Sequence, residues 1–369
     1  MVLLQKALRY LRYEGVYRGI REPGYCRILI VGVGGAGNNT INRLMKLGVV
    51  GARCVAVNTD LQHLNTIHAD EKILIGEKIT RGLGAGGDPA VGREAVKESI
   101  HRIEKLLEGC DIVFITAGLG GGTGTGAAPV IAEVARRKNA IVIGVVTIPF
   151  AHERGRMAYA FQGLNEMRRY AHTTVIIDNN KLLGLFPQLP IDQAFEMADM
   201  VLADMVRGIV ETISLPSLIN IDFADFRSIM KRGDVAIIGI GESDGPNRAE
   251  EATLNALNNL LLDVDYKGVD GALIHVSGDS SMTLNEAVRA AEVITSVMDE
   301  DSMVIWGARV DPTLRGFLKV SLVLTGVKSP YLFRGFEQAA EDIYNLEPYA
   351  KPESPLSIDL DLFQLERGV

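Results

Sequence analysis

Short apolar runs alternate with helix-patterned stretches through the first half of the chain. Runs rich in Val and Ile predict strands at 27–32, 54–60, 111–116, 141–147 and 174–177. Between them, apolar residues recur every three to four positions and predict helices at 40–47, 90–107, 127–136 and 156–170. This α/β alternation predicts a parallel sheet covered on both faces, with its ligand site at the carboxyl ends of the strands.

A single long helix is expected in the middle of the chain, because the segment 191–213 keeps a 3.6-residue period throughout. At about 1.5 Å per residue it would span roughly 30–35 Å. Beyond it, strands are expected at 235–241, 272–277, 303–308 and 317–326, with helices near 247–262 and 283–298. The pattern therefore predicts a second α/β domain after the long helix.

The densest glycine run lies between the strand expected at 111–116 and the helix expected at 127–136. It consists of Gly120, Gly121, Gly122, Thr123, Gly124, Thr125 and Gly126. Glycine adopts positive φ without side-chain bulk, so several N–H groups can point inward together at a helix N-terminus. This is typical of a phosphate-binding loop, and a flexible loop without a ligand is the alternative. The Gly-Lys-Ser/Thr ending of a Walker A loop is missing, so backbone amides and a metal ion would hold the phosphates.

A second glycine-rich turn follows the first strand and satisfies the dinucleotide fingerprint G-x-G-x-x-G. Its residues are Gly32, Val33, Gly34, Gly35, Ala36 and Gly37, followed by Asn38. Asp60, after the next strand, falls near the distance expected of a ribose-binding acid. Taken alone, this half of the chain favours an NAD-dependent oxidoreductase, which leaves the run at 120–126 without a role.

A third glycine-rich segment, at 80–89, contains Ala85, Gly86 and Gly87 and opens another helix. A dinucleotide fold usually needs one such loop for its pyrophosphate. Three converging loops suit a longer polyphosphate, and a nucleoside triphosphate is the simplest ligand of that kind.

Three polar residues stand among apolar ones just after the long helix. They are Asn220, Asp222 and Asp225. One aspartate is explained as the N-cap of the following helix. Capping does not easily explain all three, so they are candidates for chemistry.

Composition limits the remaining possibilities. The 369 residues, 47% of them hydrophobic, are enough for two domains, and the net charge of −8 argues against nucleic acid as the main partner. The three cysteines have no metal-ligand spacing, so a structural zinc is not expected. Without a signal peptide or a run of transmembrane length, we expect a soluble intracellular protein. The basic amphipathic segment 1–25 predicts either a contact with a membrane or partner, or a helix packed on the domain itself.

With these motifs, the chain resembles the FtsZ family, prokaryotic relatives of tubulin, from about residue 27 to 327. The run GGGTGTG at 120–126 is specific to the tubulin/FtsZ superfamily, and NIDFAD at 220–225 points to FtsZ. The N-terminal extension and the tail resemble archaeal members. The resemblance implies a tubulin/FtsZ fold with these parts: an N-terminal extension (1–25), a Rossmann-like GTP-binding domain (26–190), a central helix (191–215), a smaller α/β domain with a four-stranded sheet (216–330) and a tail with a peptide motif (331–369).

Residue roles carried over from the family place GTP or GDP in the three glycine-rich segments. The α- and β-phosphates would be held by two of these segments: Gly34, Gly35, Ala36, Gly37 and Asn38, and Gly120 to Thr125. The γ-phosphate would be sensed by the third, at Ala85, Gly86 and Gly87. Glu153 and Arg156 would contact the ribose and phosphate region. Asn179 would contact the guanine and Phe195 would stack on it. Asp199 would recognise the guanine by accepting hydrogen bonds from it. Two departures matter: Glu153-Arg154-Gly155-Arg156 is one residue shorter than usual, so either arginine could serve, and Asp178 stands where proline is common.

The resemblance also implies head-to-tail polymerisation into a cytoplasmic division ring at mid-cell. A nucleotide is much shorter than the long helix, so Asp222 and Asp225 would act on the GTP of a neighbouring subunit, with Asn220 positioning the loop and Mg²⁺ stabilising phosphate charge. The C-terminal peptide would bind a membrane tether of the SepF or FtsA kind. Two rivals remain at this stage: the NAD-dependent oxidoreductase, and an FtsZ-like protein that binds GTP but turns it over poorly.

Overall fold

The protein is described by a computed structural model that covers residues 26–180, 190–215, 217–258, 269–299 and 301–327. The N-terminal extension and the C-terminal tail predicted from the sequence lie outside the described residues. The predicted domain boundaries stay a prediction.

One sheet runs through the whole described chain. Its strands are β1 (Ile28–Val33), β2 (Ala52–Asn58), β3 (Glu71–Leu74), β4 (Ile112–Gly118), β5 (Ile141–Ile148), β6 (Thr173–Asp178), β7 (Val235–Ser243), β8 (Gly271–Gly278), β9 (Met303–Val310) and β10 (Leu318–Thr325). They are ordered β3-β2-β1-β4-β5-β6-β7-β10-β8-β9. The first six are parallel, as the alternating pattern predicts.

The four C-terminal strands continue this sheet. β10 pairs antiparallel with β7 and β8, and β8 pairs parallel with β9. Only two register pairs, Thr174 with Val235 and Val175 with Ala236, join β6 to β7. The four-stranded C-terminal sheet is thus present as an extension of the first sheet through a short seam.

Helices cover both faces of the sheet. They are α1 (Gly34–Leu47), α2 (Leu61–Thr66), α3 (Glu77–Thr80), α4 (Pro89–Glu98), α5 (Ile100–Leu106), α6 (Gly122–Arg137), α7 (Arg154–Tyr170), α8 (Ile191–Ser214), α9 (Phe223–Met230), α10 (Arg248–Leu257) and α11 (Leu284–Thr295). The central helix α8 buries Leu202, Val206 and Val210 against the sheet face that also carries Phe114. No helix among these described residues is both long and apolar enough to cross a membrane.

Three helix predictions need correction. The runs at 34–37 and 122–126 were expected to be loops, but they form the first turns of α1 and α6. The tight packing of these turns explains why glycine occurs there: a Cβ at Gly37 would lie 2.2 Å from the carbonyl oxygen of Thr116. The helix expected at 90–107 is instead two helices, α4 and α5, separated at Ser99, whose hydroxyl accepts a hydrogen bond from the backbone of Gly76 (3.3 Å).

Candidate nucleotide-binding site

The three glycine-rich segments meet at the carboxyl ends of β1, β2 and β4. A Cβ at Gly34 would lie 2.9 Å from the backbone nitrogen of Gly124, and one at Gly122 would lie 2.8 Å from the Cβ of Ala85. The first distance joins the segments at 34–38 and 120–126, and the second joins the latter to the segment at 80–89. The three segments therefore form one surface, which we call the cradle.

Four glycines of the cradle face open space. A Cβ added at Gly35, Gly86, Gly87 or Gly121 would have no heavy atom within 4 Å. Beside them, Gly34 and Gly122 are held by the close contacts just described. The cradle is therefore walled by packed backbone and keeps room for a ligand that approaches the main chain closely.

Helix N-termini supply the electrostatics of the cradle. Helices α1 and α6 begin at Gly34 and Gly122, so their unpaired N–H groups and positive dipole ends lie at its surface. Thr125 supports this backbone, since its hydroxyl accepts a hydrogen bond from the N–H of Gly120 (2.8 Å). The hydroxyl groups of Thr59 and Thr123 lie 2.6 Å apart and tie β2 to α6. The arrangement suits a polyphosphate.

The segment at 80–89 is fastened to the end of β2. The Thr80 hydroxyl and the Gly84 N–H both donate to the carbonyl of Thr59, each at 3.2 Å. Asp60 beside it caps α2, accepting from the N–H of His63 at 3.0 Å. The ribose role expected of Asp60 stays a prediction, and its capping bond shows what orients the carboxylate.

Asn38 contributes a buried acceptor to the cradle region. It is fully buried, and its side-chain amide donates to the carbonyl of Val57 (3.2 Å). Its Oδ1 has no hydrogen-bond partner within the described part of the chain. A buried acceptor without a partner is costly, so a ligand donor at this position would stabilise the site.

An aromatic pair marks the other end of the site. The rings of Phe150 and Phe195 meet edge to face, with centroids 5.7 Å apart and planes at 71°. Phe195 is 41% exposed, which leaves surface for a planar ligand to stack on. Phe150 lies in the loop between β5 and α7. The sequence pattern does not mark it, because its partner lies more than forty residues away on α8.

Asp199 lies one turn further along α8. Burial raises the pKa of its carboxyl to about 7; the nearby Arg43 opposes this shift and Glu196 adds to it. Arg43 of α1 is held by a salt bridge to Glu196 (2.8 Å). Arg43 was also missed by the sequence analysis, since nothing in the local pattern of α1 distinguishes it.

The loop after β5 and the first turn of α7 complete this end. Arg156 forms an ion pair with Glu153 (2.5 Å), and a Cβ at Gly120 would lie 2.9 Å from the carbonyl oxygen of Arg156. Arg156 therefore sits against the cradle. Asn179 is half-buried directly after β6, where Asp178 accepts hydrogen bonds from the next residue, Asn180 (2.7 and 2.8 Å). The individual nucleotide contacts assigned to these residues stay predictions.

The residues Asn220, Asp222 and Asp225 lie on a separate segment, residues 217–225, which we call the aspartate loop. Asp222 caps α9 by accepting from the N–H of Asp225 (2.7 Å), and Asn220 accepts from the N–H of Ser217 (2.8 Å). Asp222 and Asn220 are exposed, and Asp225 is half-buried.

The aspartate loop and the cradle lie at opposite ends of strand β2. The hydroxyl of Ser214, at the end of α8, donates to the carbonyl of Gly51, just before β2 begins (3.4 Å). The cradle lies beyond the other end of β2, at Thr59. The seven residues of β2 span roughly 20 Å, and the 24 residues of α8 roughly 36 Å. The two clusters therefore do not form one site within a single chain.

Among the residues that the structure describes, no group of three or more His, Cys, Asp or Glu is placed to hold a metal ion. The described cysteines are free thiols, and only Cys54 is buried.

Family comparisons decide between the nucleotide chemistries. The strand order 3-2-1-4-5-6 of the first six strands is also that of dinucleotide-binding folds, so the order alone leaves the NAD alternative open. The GTPase-domain model of the tubulin/FtsZ family matches residues 27–187, and the model of the FtsZ C-terminal domain matches residues 234–328.

Two curated relatives extend the match over most of the chain. Cell division protein FtsZ 2 of Methanocaldococcus jannaschii is 55% identical over 312 residues, which is 84% of this chain and 82% of the relative. Cell division protein FtsZ 1 of Pyrococcus furiosus is 50% identical over 347 residues, which is 94% of this chain and 91% of the relative.

Solved structures agree with these relatives. An empty FtsZ dimer from M. jannaschii superposes with a TM-score of 0.78 at 48% identity, covering 87% of this chain and 91% of that one. CetZ2 of Haloferax volcanii shares the fold, with a TM-score of 0.73 at 22% identity over 86% of this chain and 98% of that one. The predicted fold class and GTPase activity are confirmed, against the oxidoreductase alternative. The chain belongs to the FtsZ family of tubulin-like GTPases.

Proposed function

We propose that this chain is a GTP-dependent polymerising protein of the cytoplasmic division ring, and that it hydrolyses GTP at the contact between head-to-tail subunits. One observation carries the proposal: the cradle and the aspartate loop lie at opposite ends of strand β2. The length of α8 likewise separates the aspartate loop from the aromatic end of the site. A subunit built this way offers half a site at each end.

Nucleotide binding is assigned to the cradle and to the aromatic end of α8. Backbone N–H groups of α1 and α6 receive the α- and β-phosphates, and Gly86 and Gly87 face the γ-phosphate. The guanine stacks on Phe195 and contacts Asn179, and the carboxylate of Asp199 accepts from its N1–H and 2-amino group. Adenine lacks that pair of donors, so Asp199 is the specificity determinant.

Polymerisation follows from stacking one subunit's aspartate loop on the next subunit's cradle. Such a heterologous contact leaves an unused half-site at each end and builds an open filament. A solved FtsZ of M. jannaschii is described as a dimer, which is consistent with self-association in this family.

Hydrolysis is assigned to the carboxylates of the aspartate loop. Asp222 and Asp225 would orient and polarise a water molecule toward the γ-phosphate held by the neighbouring subunit, with Asn220 shaping the loop. Mg²⁺ bound with the nucleotide would neutralise charge on the phosphates. Its ligands would come mainly from the phosphates and water.

The terminal peptide at 356–365 is proposed to bind a membrane tether of the SepF or FtsA kind. It alternates apolar and acidic residues and lies outside the described residues. Deletion of residues 356–369 should leave GTP-dependent polymer intact while abolishing membrane recruitment.

The shared site is tested by the concentration dependence of GTP turnover. Phosphate release per subunit should rise steeply above the concentration at which protein begins to pellet with GTP. Below that concentration, GTP should bind without being hydrolysed. Specific activity that stays constant across that range would show that the site is complete within one chain. Pelleting without phosphate release would instead favour the FtsZ-like protein that turns GTP over poorly.

A further inference from the structure

A buried histidine lies where the aspartate loop meets the C-terminal strands. His275 is on β8, is 4% exposed, and pairs in register with Gly307 of β9 and Ser321 of β10. Each ring nitrogen faces a serine hydroxyl at 3.3 Å: Nε2 faces Ser217 and Nδ1 faces Ser277. Neither the sequence motifs nor the proposed chemistry uses this residue.

The hydrogen bonds around the ring run in one direction. The hydroxyl of Ser217 also lies 3.4 Å from the carbonyl oxygen of Leu215, to which it donates. A hydroxyl has one proton. When Ser217 donates that proton to Leu215, the Nε2–H of His275 donates to Ser217 and Nδ1 accepts from Ser277. Through Ser217, the ring links β8 to the carbonyl of Leu215, the residue directly after α8.

Ser217 passes this link on to the aspartate loop. Its backbone N–H donates to Oδ1 of Asn220 (2.8 Å), which closes the turn that leads to Asp222. The imidazole therefore holds the start of the loop through one residue, Ser217, whose hydroxyl contacts His275 and whose backbone N–H bonds to Asn220.

The two residues between Ser217 and Asn220 are fixed to β9 independently of His275. The N–H groups of Leu218 and Ile219 donate to the carbonyl of Ala308 (2.8 and 3.1 Å), and the Ala308 N–H donates back to Ile219 (3.1 Å). A Cβ at Gly307 would lie 2.7 Å from the carbonyl oxygen of Ile219, so the backbones are in close contact. Because Leu218 and Ile219 are held in this way, the link from His275 to Ser217 sets the orientation of the turn that ends at Asn220.

We propose that His275 is a positioning residue for GTP hydrolysis: through Ser217 it sets the placement of Asn220, Asp222 and Asp225 against the neighbouring subunit's nucleotide. The inference rests on the proposed role of the aspartate loop. Burial, and secondarily the charge of Arg309, lowers the pKa of His275 to about 3. The ring therefore keeps its donor and acceptor pattern at physiological pH.

The test compares two variants. His275→Leu fills the core position with an apolar side chain that cannot hydrogen-bond, whereas His275→Gln keeps a donor and an acceptor. Thr253→Val is the matched control, because Thr253 is fully buried in α10 and its hydroxyl, among the described residues, bonds only within its own helix at Ala249 (2.7 Å). GTP affinity, pelleting and phosphate release per pelleted subunit are measured for full-length protein. Asp222→Asn is included to report on the loop itself.

His275→Leu should lower phosphate release per pelleted subunit roughly tenfold, since small displacements of reacting groups are costly. Its GTP affinity should stay unchanged, His275→Gln should recover most of the turnover, and Thr253→Val should match the wild type. Wild-type turnover in His275→Leu beside an inactive Asp222→Asn would overturn the inference. An active Asp222→Asn would instead overturn the proposed function. If His275→Leu does not fold, Ser217→Ala decides: it should show the same loss, and full turnover there overturns the link.

Discussion

The carboxylate of Asp222 accepts a hydrogen bond from the backbone N–H of Asp225 at 2.7 Å, so one candidate catalytic residue caps the helix that carries the other. The cap fixes the backbone between the two carboxylates. It also means that Asp222 has two separable properties, an oxygen that caps α9 and a negative charge.

Replacing Asp222 separates these two properties. Asn caps helices about as well as Asp, so Asp222→Asn should keep the free energy of unfolding within about 0.5 kcal/mol, whereas Asp222→Ala should lose about 1 kcal/mol. Both should lose at least about 100-fold in GTP turnover, because neither retains the carboxylate. Denaturant unfolding and phosphate release measure the two effects. If Asp222→Asn retained turnover, the cap would be the residue's only role.

Two glycines of α1 separate binding from folding. A Cβ at Gly35 meets open space, whereas one at Gly37 would lie 2.2 Å from the carbonyl oxygen of Thr116. Gly35→Ala should keep or slightly raise the melting temperature, since Ala favours helix by about 1 kcal/mol over Gly. It should nevertheless weaken GTP binding at least about tenfold, because the methyl group enters the cradle.

Gly37→Ala is the matched contrast and should destabilise the fold by about 1–3 kcal/mol, as overpacking does. Thermal unfolding and nucleotide titration of the two variants provide the measurement. Undiminished GTP affinity in a folded Gly35→Ala protein would place the phosphates elsewhere.

The sequence allowed prediction of the parallel sheet, the long helix and the convergence of the glycine-rich segments, because these depend on local periodicity and on the rule that parallel strands share one carboxyl edge. It did not show that the runs beginning at Gly34 and Gly122 are helical. Glycine has low helix propensity, and the contacts that favour the helix there come from distant segments such as Thr116 and Ala85.

Partners that meet only in the folded chain were also missed. Phe150 meets Phe195 edge to face, and His275 lies against Ser217, across separations of 45 and 58 residues. No local pattern marks either pair. By contrast, Asp222 and Asp225 stand out because two acids interrupt an apolar segment within four positions, and their cap is a local interaction.

Phe195 should contribute most of the stacking energy for the base. Its ring is 41% exposed and is held edge to face by Phe150. Loss of one base–aromatic stack costs about 1–3 kcal/mol, so Phe195→Ala should weaken GTP binding roughly 5- to 150-fold. Leu254→Ala is the control, since Leu254 is similarly exposed (48%) but lies on α10. Equal affinities for the two variants would exclude stacking on Phe195.

The Asp199 carboxyl should make GTP binding depend on pH near neutrality. Burial raises its pKa to about 7 in the nucleotide-free protein. Protonation turns one carboxyl oxygen into a donor, so the N1–H and 2-amino groups of guanine donate together, one to each oxygen, only to the ionised carboxylate. Bound GTP should therefore lower this pKa. Binding below pH 7 then requires loss of a proton. Affinity should fall as pH drops below about 7, by up to tenfold per pH unit, and level off above it.

Asp199→Asn supplies the control for this titration, because an amide keeps the shape and does not ionise. Its affinity should be lower and flat between pH 5.5 and 8, apart from titration of the γ-phosphate, which both proteins share.

The raised pKa of Asp199 has a second consequence, for the stability of the nucleotide-free protein. Because the folded protein holds this proton more tightly than the unfolded chain, Asp199 favours folding most at low pH, and that contribution is lost as pH rises through about 7. Chemical unfolding of both proteins at pH 5.5 and 8 should therefore show the wild type losing stability relative to Asp199→Asn as pH rises, and the opposite trend would contradict a raised pKa.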